Sequence, residues 1–185
     1  MPRYIAFLRA VNVGGRIVKM DALRGHFEAA GFTSAETFIA SGNVIFDTKA
    51  KAGPALEARI EAALKKALGY DVPAFVRPLV EVVVAAERKV FPDTAVATAG
   101  ALLVGFLRAP LDAAAQARLA ALNSDLHHFK AAGAEVYWLL HMKQSGSKIT
   151  PGQIERALGG PTTMRSIVSL RKLVAKHCVQ LGAGH

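Results

Sequence analysis

Acidic residues run out before the chain does. After Glu155 there is none, while Arg156, Arg165, Arg171, Lys172 and Lys176 remain, and the whole chain carries 23 Lys+Arg against 14 Asp+Glu, a formal charge of +9. Such a balance favours anionic partners such as nucleotides, nucleic acid or acidic surfaces, although a solvated helix face explains the C-terminal run equally well. Cysteine is nearly absent: Cys178 alone excludes an internal disulfide framework and fits a reducing compartment. Long apolar runs are also missing. Ala101 to Leu107 is stopped by Arg108, far short of the about 20 residues a bilayer span needs, and Tyr4 to Leu8 between Arg3 and Arg9 is too short for an export signal. A cytoplasmic protein without membrane association is therefore expected. No Cys/His/carboxylate group has zinc spacing, so no metal is expected, and the adjacent His127 and His128 on a strand point to opposite faces. No serine elbow or paired carboxylates suggest hydrolysis.

What is present is apolar enough to fold, 52% hydrophobic over 185 residues. Residues 3 to 11 read as a strand, followed by a helix with Asp21 as N-cap and Gly31 in the left-handed position after it. Thr37 to Ala40 and Val44 to Asp47 flank Ser41-Gly42-Asn43 as a hairpin, a helix spans about Pro54 to Leu68, and Val72 to Val76 makes a fourth strand. That order, β-α-β-β-α-β, is the ferredoxin-like unit. After a helical connection from Leu79 to about Gly100 the pattern restarts. Ala101 to Leu107 is a strand, Leu111 to Leu122 a helix, and Leu126 to Phe129 and Ala134 to His141 are strands. Thr150-Pro151-Gly152-Gln153 opens a helix as a capping box, and a last helix runs from about Met164 to Leu181, with Cys178 in its apolar stripe. The fold class expected is α+β: two ferredoxin-like lobes, 1–96 and 97–185, the second ending in a helix in place of a clear fourth strand, with no residue-level repeat between them. Both leading strands are apolar on both faces, so the lobes are expected to share one core or to pair as a homodimer.

Three glycine loops follow strand-like runs: Asn12-Val13-Gly14-Gly15, Ser41-Gly42-Asn43 and Ser145-Gly146-Ser147-Lys148. Glycine lets backbone N–H groups approach an anion, and Arg9, Arg16, Lys19 and Lys148 supply charge. Ordinary turn chemistry accounts for the same residues: positive φ at Gly14 and Gly15, a hairpin pair at Gly42-Asn43, a solvated Lys148. None has the spacing of a dinucleotide or P-loop motif. Arg165 falls in the first turn of the last helix on this reading, where the dipole disfavours a cation unless an anion joins it. The ligand residues expected are Arg9, Asn12, Gly14, Gly15, Lys19, Ser41, Gly42, Asn43, Lys148 and Arg165, converging on one cleft. Valine at Gly14 or Gly15 is expected to cost more stability than serine at Asn43.

Arg9-Ala10-Val11-Asn12-Val13-Gly14-Gly15, Met20 with Leu23, Gly31-Phe32, Ser41-Gly42-Asn43-Val44 with Phe46, Gly146-Ser147-Lys148 and Thr163-Met164-Arg165, in that order, resemble the signature of the domain-of-unknown-function 1697 family. The resemblance implies a bacterial-type soluble protein of duplicated α+β architecture and assigns no reaction. The sequence departs from the pattern in Phe38 and Ala40, where the family has tyrosine and glutamine. It departs again in Arg165-Ser166-Ile167-Val168-Ser169, where the family has Arg-Asn-Trp-Asn-Thr.

These features point first to a module that binds a phosphorylated or other small anionic ligand. A nucleic-acid-binding protein stands second, on charge and fold class, against the lack of an aromatic-basic stacking signature. A phosphoryl- or nucleotidyl-transfer enzyme stands third. No cofactor is named by the sequence. If the lobes share a core, a chain cut after Val96 will elute as aggregate or melt without cooperativity; a soluble monomer with a sharp melt would show that the first lobe stands alone.

Overall fold

The computed structural model describes residues 1–39 and 42–182; Ala40 and Ser41, and the side chains from Cys178 onward, lie outside the described residues. Among these the chain is a mixed α+β protein with two four-stranded antiparallel sheets and seven helices. It falls into two compact units, Met1–Val82 and Val83–His185.

In the first unit β1 (Arg3–Leu8) is followed by α1 (Met20–Ala29), β2 (Thr33–Thr37), β3 (Asn43–Asp47), α2 (Pro54–Leu68) and β4 (Ala74–Pro78), and the sheet order is β2-β3-β1-β4. Alternation decides the core. Tyr4, Ala6 and Leu8 of β1, Val44 and Phe46 of β3 and Ala74 and Val76 of β4 pack with Leu23 and Phe27 of α1 and Leu56, Ile60 and Leu64 of α2. The intervening residues Ile5, Phe7, Ile45 and Phe75 are fully buried too. Pro54 at the first turn and Gly69 at φ +82 bound α2 where the sequence placed its ends. Met20 opens α1 with Lys19 at the N-cap, so Asp21 sits in the first turn and does not cap.

The first strand of the hairpin is displaced from its expected position. β2 is Thr33–Thr37, with a register shift between Thr33 and Glu36 and Ser34 at φ +50. Thr-Ser-Ala-Glu-Thr has no apolar alternation because it is a bulged edge strand, the form that resists pairing with another chain. The expected strand at Thr37 to Ala40 ends in residues outside the described set.

The second unit holds the latter part of α3 (Leu79–Glu87), then α4 (Asp93–Thr98), β5 (Ala101–Phe106), α5 (Ala113–Ala120), β6 (His127–Ala132), β7 (Glu135–Leu140), α6 (Pro151–Leu158), β8 (Thr163–Ser166) and α7 (Ile167–Gly182), with sheet order β6-β7-β5-β8. Residues 83–90 are tied into it by bonds that include Tyr137 Oη to the Ala85 carbonyl at 2.8 Å, Arg88 to the Ala132 carbonyl at 2.8 Å and Lys130 Nζ to the Val90 carbonyl at 3.2 Å. Leu103, Trp138, Leu140, Phe129, Leu119, Ile154 and Leu158 form its core. The capping box is present, with Thr150 Oγ1 accepting from the Gln153 N–H at 3.2 Å and Gln153 Oε1 accepting from the Thr150 N–H at 2.8 Å.

A fourth strand does exist here, contrary to the expectation of a helix from Met164. β8 is four residues long and runs straight into α7, leaving no turn residues to mark the change. Its register also exposes a repeat that the sequence reading overlooked: Phe7-Leu8-Arg9-Ala10 recurs as Phe106-Leu107-Arg108-Ala109. The two tetrapeptides occupy equivalent places, since Ile5 pairs with Arg77 and Val104 with Arg165, and the Leu8 N–H donates to Gly42 at 2.8 Å as the Leu107 N–H does to Ala134 at 2.9 Å. Among the described residues no helix is long and apolar enough to cross a membrane.

Two carboxylates of α2 reach the outer edge of β4: Glu57 Oε1 accepts the Val76 N–H at 3.0 Å and Glu61 Oε1 the Ala74 N–H at 2.9 Å. Four residues along a helix and two along a strand cover nearly the same distance, about 6 and 6.6 Å. Glu57 is 4% exposed and stands 4.0 Å from Arg77, itself 8% exposed. Glu57→Ala is expected to lower unfolding free energy by about 2–3 kcal/mol, the range for a bond to a charged acceptor, and Glu61→Ala by less, because Glu61 is closer to water. Equal midpoints in urea titrations of the two variants would contradict this.

Candidate functional site

The residues singled out in the first unit gather at one end of its sheet. β1 runs antiparallel to both β3 and β4, so its C-terminal end lies beside the start of each: Phe7 pairs with Asn43 and Leu8 with Ala74. Antiparallel pairing thus puts the loop after β1 and the β2–β3 hairpin together.

Arg9 is half-buried and its N–H donates to the Pro73 carbonyl at 2.9 Å. The chain then turns away at Ala10, whose φ is +57. Val11 and Val18 are buried and hold the two ends of the loop, while residues 12–17 are exposed. Asn12 Oδ1 accepts the Val18 N–H at 2.7 Å and closes it. Gly14 and Gly15 shape the tip at φ +67 and +82 with open space around them. Arg16 lies over Tyr70, its guanidinium carbon 4.2 Å from the ring centroid, an arrangement favoured by the ring quadrupole. The Tyr70 hydroxyl is buried with no hydrogen-bond partner among the described residues. Lys19, exposed, stands at the N-cap of α1, and no side chain caps that helix. The free amides of its first turn and the positive end of the dipole therefore face a cation, with only Asp21 in the first turn to oppose it.

On the hairpin side Gly42 gives its carbonyl to Leu8, and its φ is +78. A Cβ there would stand 3.2 Å from Leu8 Cβ and 3.3 Å from Val11 Cγ2. Asn43 is 1% exposed, with Nδ2 donating to the Phe38 carbonyl at 3.0 Å. It braces the connection from within. Ile39 adopts φ +60, a conformation strained for a β-branched residue. Ser41 lies outside the described residues.

Lys148 and Arg165 belong to the second unit. Lys148 is exposed, after a 3-10 turn at Gln144–Gly146 and before the Thr150 cap. Arg165 is not in a helix turn: it is the third residue of β8, 8% exposed, donating to Thr163 Oγ1 at 2.7 Å and to the Met164 carbonyl at 2.9 Å. Burial pushes its pKa down to about 10, and burial likewise pushes the Tyr137 phenol up to about 12. The dipole mismatch expected at Arg165 occurs instead at Lys19.

Sequence reasoning missed three features of the first unit. Ala10 and Ile39 in left-handed conformations carry no sequence signal, since neither is a residue that favours them. Arg16 on Tyr70 is a contact between residues 54 positions apart. The uncapped start of α1 was concealed by Asp21, a good capping residue two positions too late.

The model of the family described as protein of unknown function (DUF1697) matches residues 1–137, so the first-unit loops lie within the match and Lys148 and Arg165 beyond it. The fold is similar to that of a conserved bacterial protein from Streptococcus pneumoniae, with a TM-score of 0.73 and 20% sequence identity over 95% of this chain and 98% of that one. At that identity the likeness is one of fold. No curated protein matches the sequence.

The geometry changes the expected order of substitution effects. Gly42→Val meets both a left-handed backbone and occupied space, whereas Gly14→Val meets only the backbone, at about 1–2 kcal/mol. Asn43→Ser removes a buried bond and is expected to cost about as much as Gly14→Val. Thermal melts should therefore rank Gly42→Val as the least stable of the three; a Gly42→Val variant melting with Gly14→Val would show that the Leu8 contact relaxes freely.

Proposed function

The chain belongs to the DUF1697 family, and we propose that its first unit binds a small phosphorylated or otherwise anionic ligand at the C-terminal end of β1. The observation that carries this reading is the uncapped N-terminus of α1 with Lys19 at its N-cap. Amides and dipole there favour negative charge, and Lys19 adds to that demand without meeting it. Arg9 opens the same loop at its other end, and Arg16 lies within it over Tyr70. Strain at Ala10 and Ile39 on either side is of the kind that collects at ligand-binding loops. Asn12 and Asn43 shape the site by bracing its backbone, and Lys148 and Arg165 are not required for it.

We also propose that the two units are duplicated ferredoxin-like lobes. Equal sheet orders support this, as does the Phe-Leu-Arg-Ala repeat in equivalent register.

Phosphate is expected to raise Tm above that in chloride at matched ionic strength, and an Arg9→Gln, Lys19→Gln double variant to lose most of the increment. The variant controls for the general stabilisation that phosphate gives any buried core. Ligand present at 100 times its Kd stabilises by about 2.7 kcal/mol, a shift well within reach of a thermal melt. An undiminished shift in the double variant would reduce these loops to connections.

A further inference from the structure

At the C-terminal end of β5 the chain leaves through residues 107–112 towards α5, and α6 returns through residues 158–161 to β8. These two connections and the near side of α5 enclose a cleft of about 460 Å³, within the range of small-molecule sites. Leu107, Leu111 and Leu158 supply apolar lining; Arg108, Asp112 and Arg118 supply charge. Asp112 is committed elsewhere: its Oδ1 accepts the Ala115 N–H at 2.7 Å, and its charge offsets the positive end of α5. Arg118 is committed at one atom only. Nε donates to the Ala157 carbonyl at 3.1 Å, in the last turn of α6, which orients the guanidinium. Nη2 is left beside Gly159, where an added Cβ would stand 3.4 Å from it. Gly159 holds φ +77 as the C-cap of α6, and around Gly160 there is open space, so this wall is backbone that a ligand can approach closely.

We propose that this cleft is a second ligand site, independent of the reading given for the first unit, for a small molecule joining a phosphate or carboxylate head to an apolar body. The guanidiniums of Arg108 and Arg118 hold the head, since a planar fork of donors matches either oxyanion. The leucine lining takes the body, which gains from leaving water. Arg108 is the counterpart of Arg9 in the repeated tetrapeptide, so both units place an arginine where the first strand of the sheet ends. The loops that follow differ. Pro110 and the Asp112 cap tighten the second, where Gly14 and Gly15 open the first.

Phenyl phosphate tests this, with inorganic phosphate and phenol as the separate halves of the same chemistry. In titrations followed by amide NMR of the full chain, phenyl phosphate is expected to shift Gly159, Gly160 and Leu111 and to bind at least tenfold more tightly than either half. Arg118→Gln should weaken it at least tenfold. Because that change also removes the bond to Ala157, Arg108→Gln is run beside it and should act in the same direction on a chain that keeps that bond. The Arg9→Gln, Lys19→Gln variant should bind phenyl phosphate at Gly159 and Gly160 as wild type does. Phenyl phosphate no tighter than inorganic phosphate, or shifts at Gly14 and Gly15 with none at Gly159 and Gly160, would overturn the second site, and the latter result would leave the first-unit reading standing.

Discussion

The meeting of α2 with the outer edge of β4 is the constraint on which the first unit rests. An edge strand presents N–H groups that must be satisfied or exposed to other chains. Glu57 and Glu61 satisfy two of them from a helix whose adjacent stripe, Leu56, Ile60 and Leu64, is in the core. One helix therefore both fills the interior and closes the sheet. Its rotation and height are fixed by two bonds spaced to the strand. The position of β4 in turn fixes Pro73, and Pro73 fixes Arg9, so the candidate site inherits its geometry from a contact on the far side of the strand.

Most of the architecture was legible because hydrophobic periodicity reports burial directly. α2 was found at its observed limits, and Thr150-Pro151-Gly152-Gln153 stated its own capping geometry. The failures share a cause. β2 is polar and bulged, so period two is absent from Thr33–Thr37; β8 is short and joined without a turn to α7, so its four residues read as the helix they precede. In the site, glycine positions were legible as left-handed residues, and Gly14, Gly15 and Gly42 are so. The roles of Asn12 and Asn43 were not. Each reads as a ligand arm in sequence, and each also braces the backbone in space, Asn12 through the Val18 N–H and Asn43 through the Phe38 carbonyl, partners that the local motif does not contain.

Arg77 and Arg165 show how equivalent positions are handled differently. Both sit in the edge strand next to the first strand of their sheet, both are about nine-tenths buried, and both donate to the carbonyl of the residue before them. Arg77 has the Glu57 carboxylate within 4.0 Å. Arg165 donates to the Thr163 hydroxyl, and burial of its guanidinium lowers its pKa. The two sheets share a strand order while the chemistry placed on them differs, and the loops after Arg9 and Arg108 differ as well.

The loop from Arg9 to Lys19 also has a clock. Its exposed middle is closed by the bond between Asn12 and Val18 and by the Arg16 guanidinium on Tyr70, with the Arg16 N–H donating to the Val13 carbonyl at 3.4 Å inside it, and none of these belongs to the sheet. Segments held this lightly open at small free-energy cost, on nanosecond to microsecond times, without disturbing the strands beneath. For an anion of the proposed kind, arrival and residence at the end of β1 would then be governed by different residues: the first by the Asn12 brace, the second by the cations.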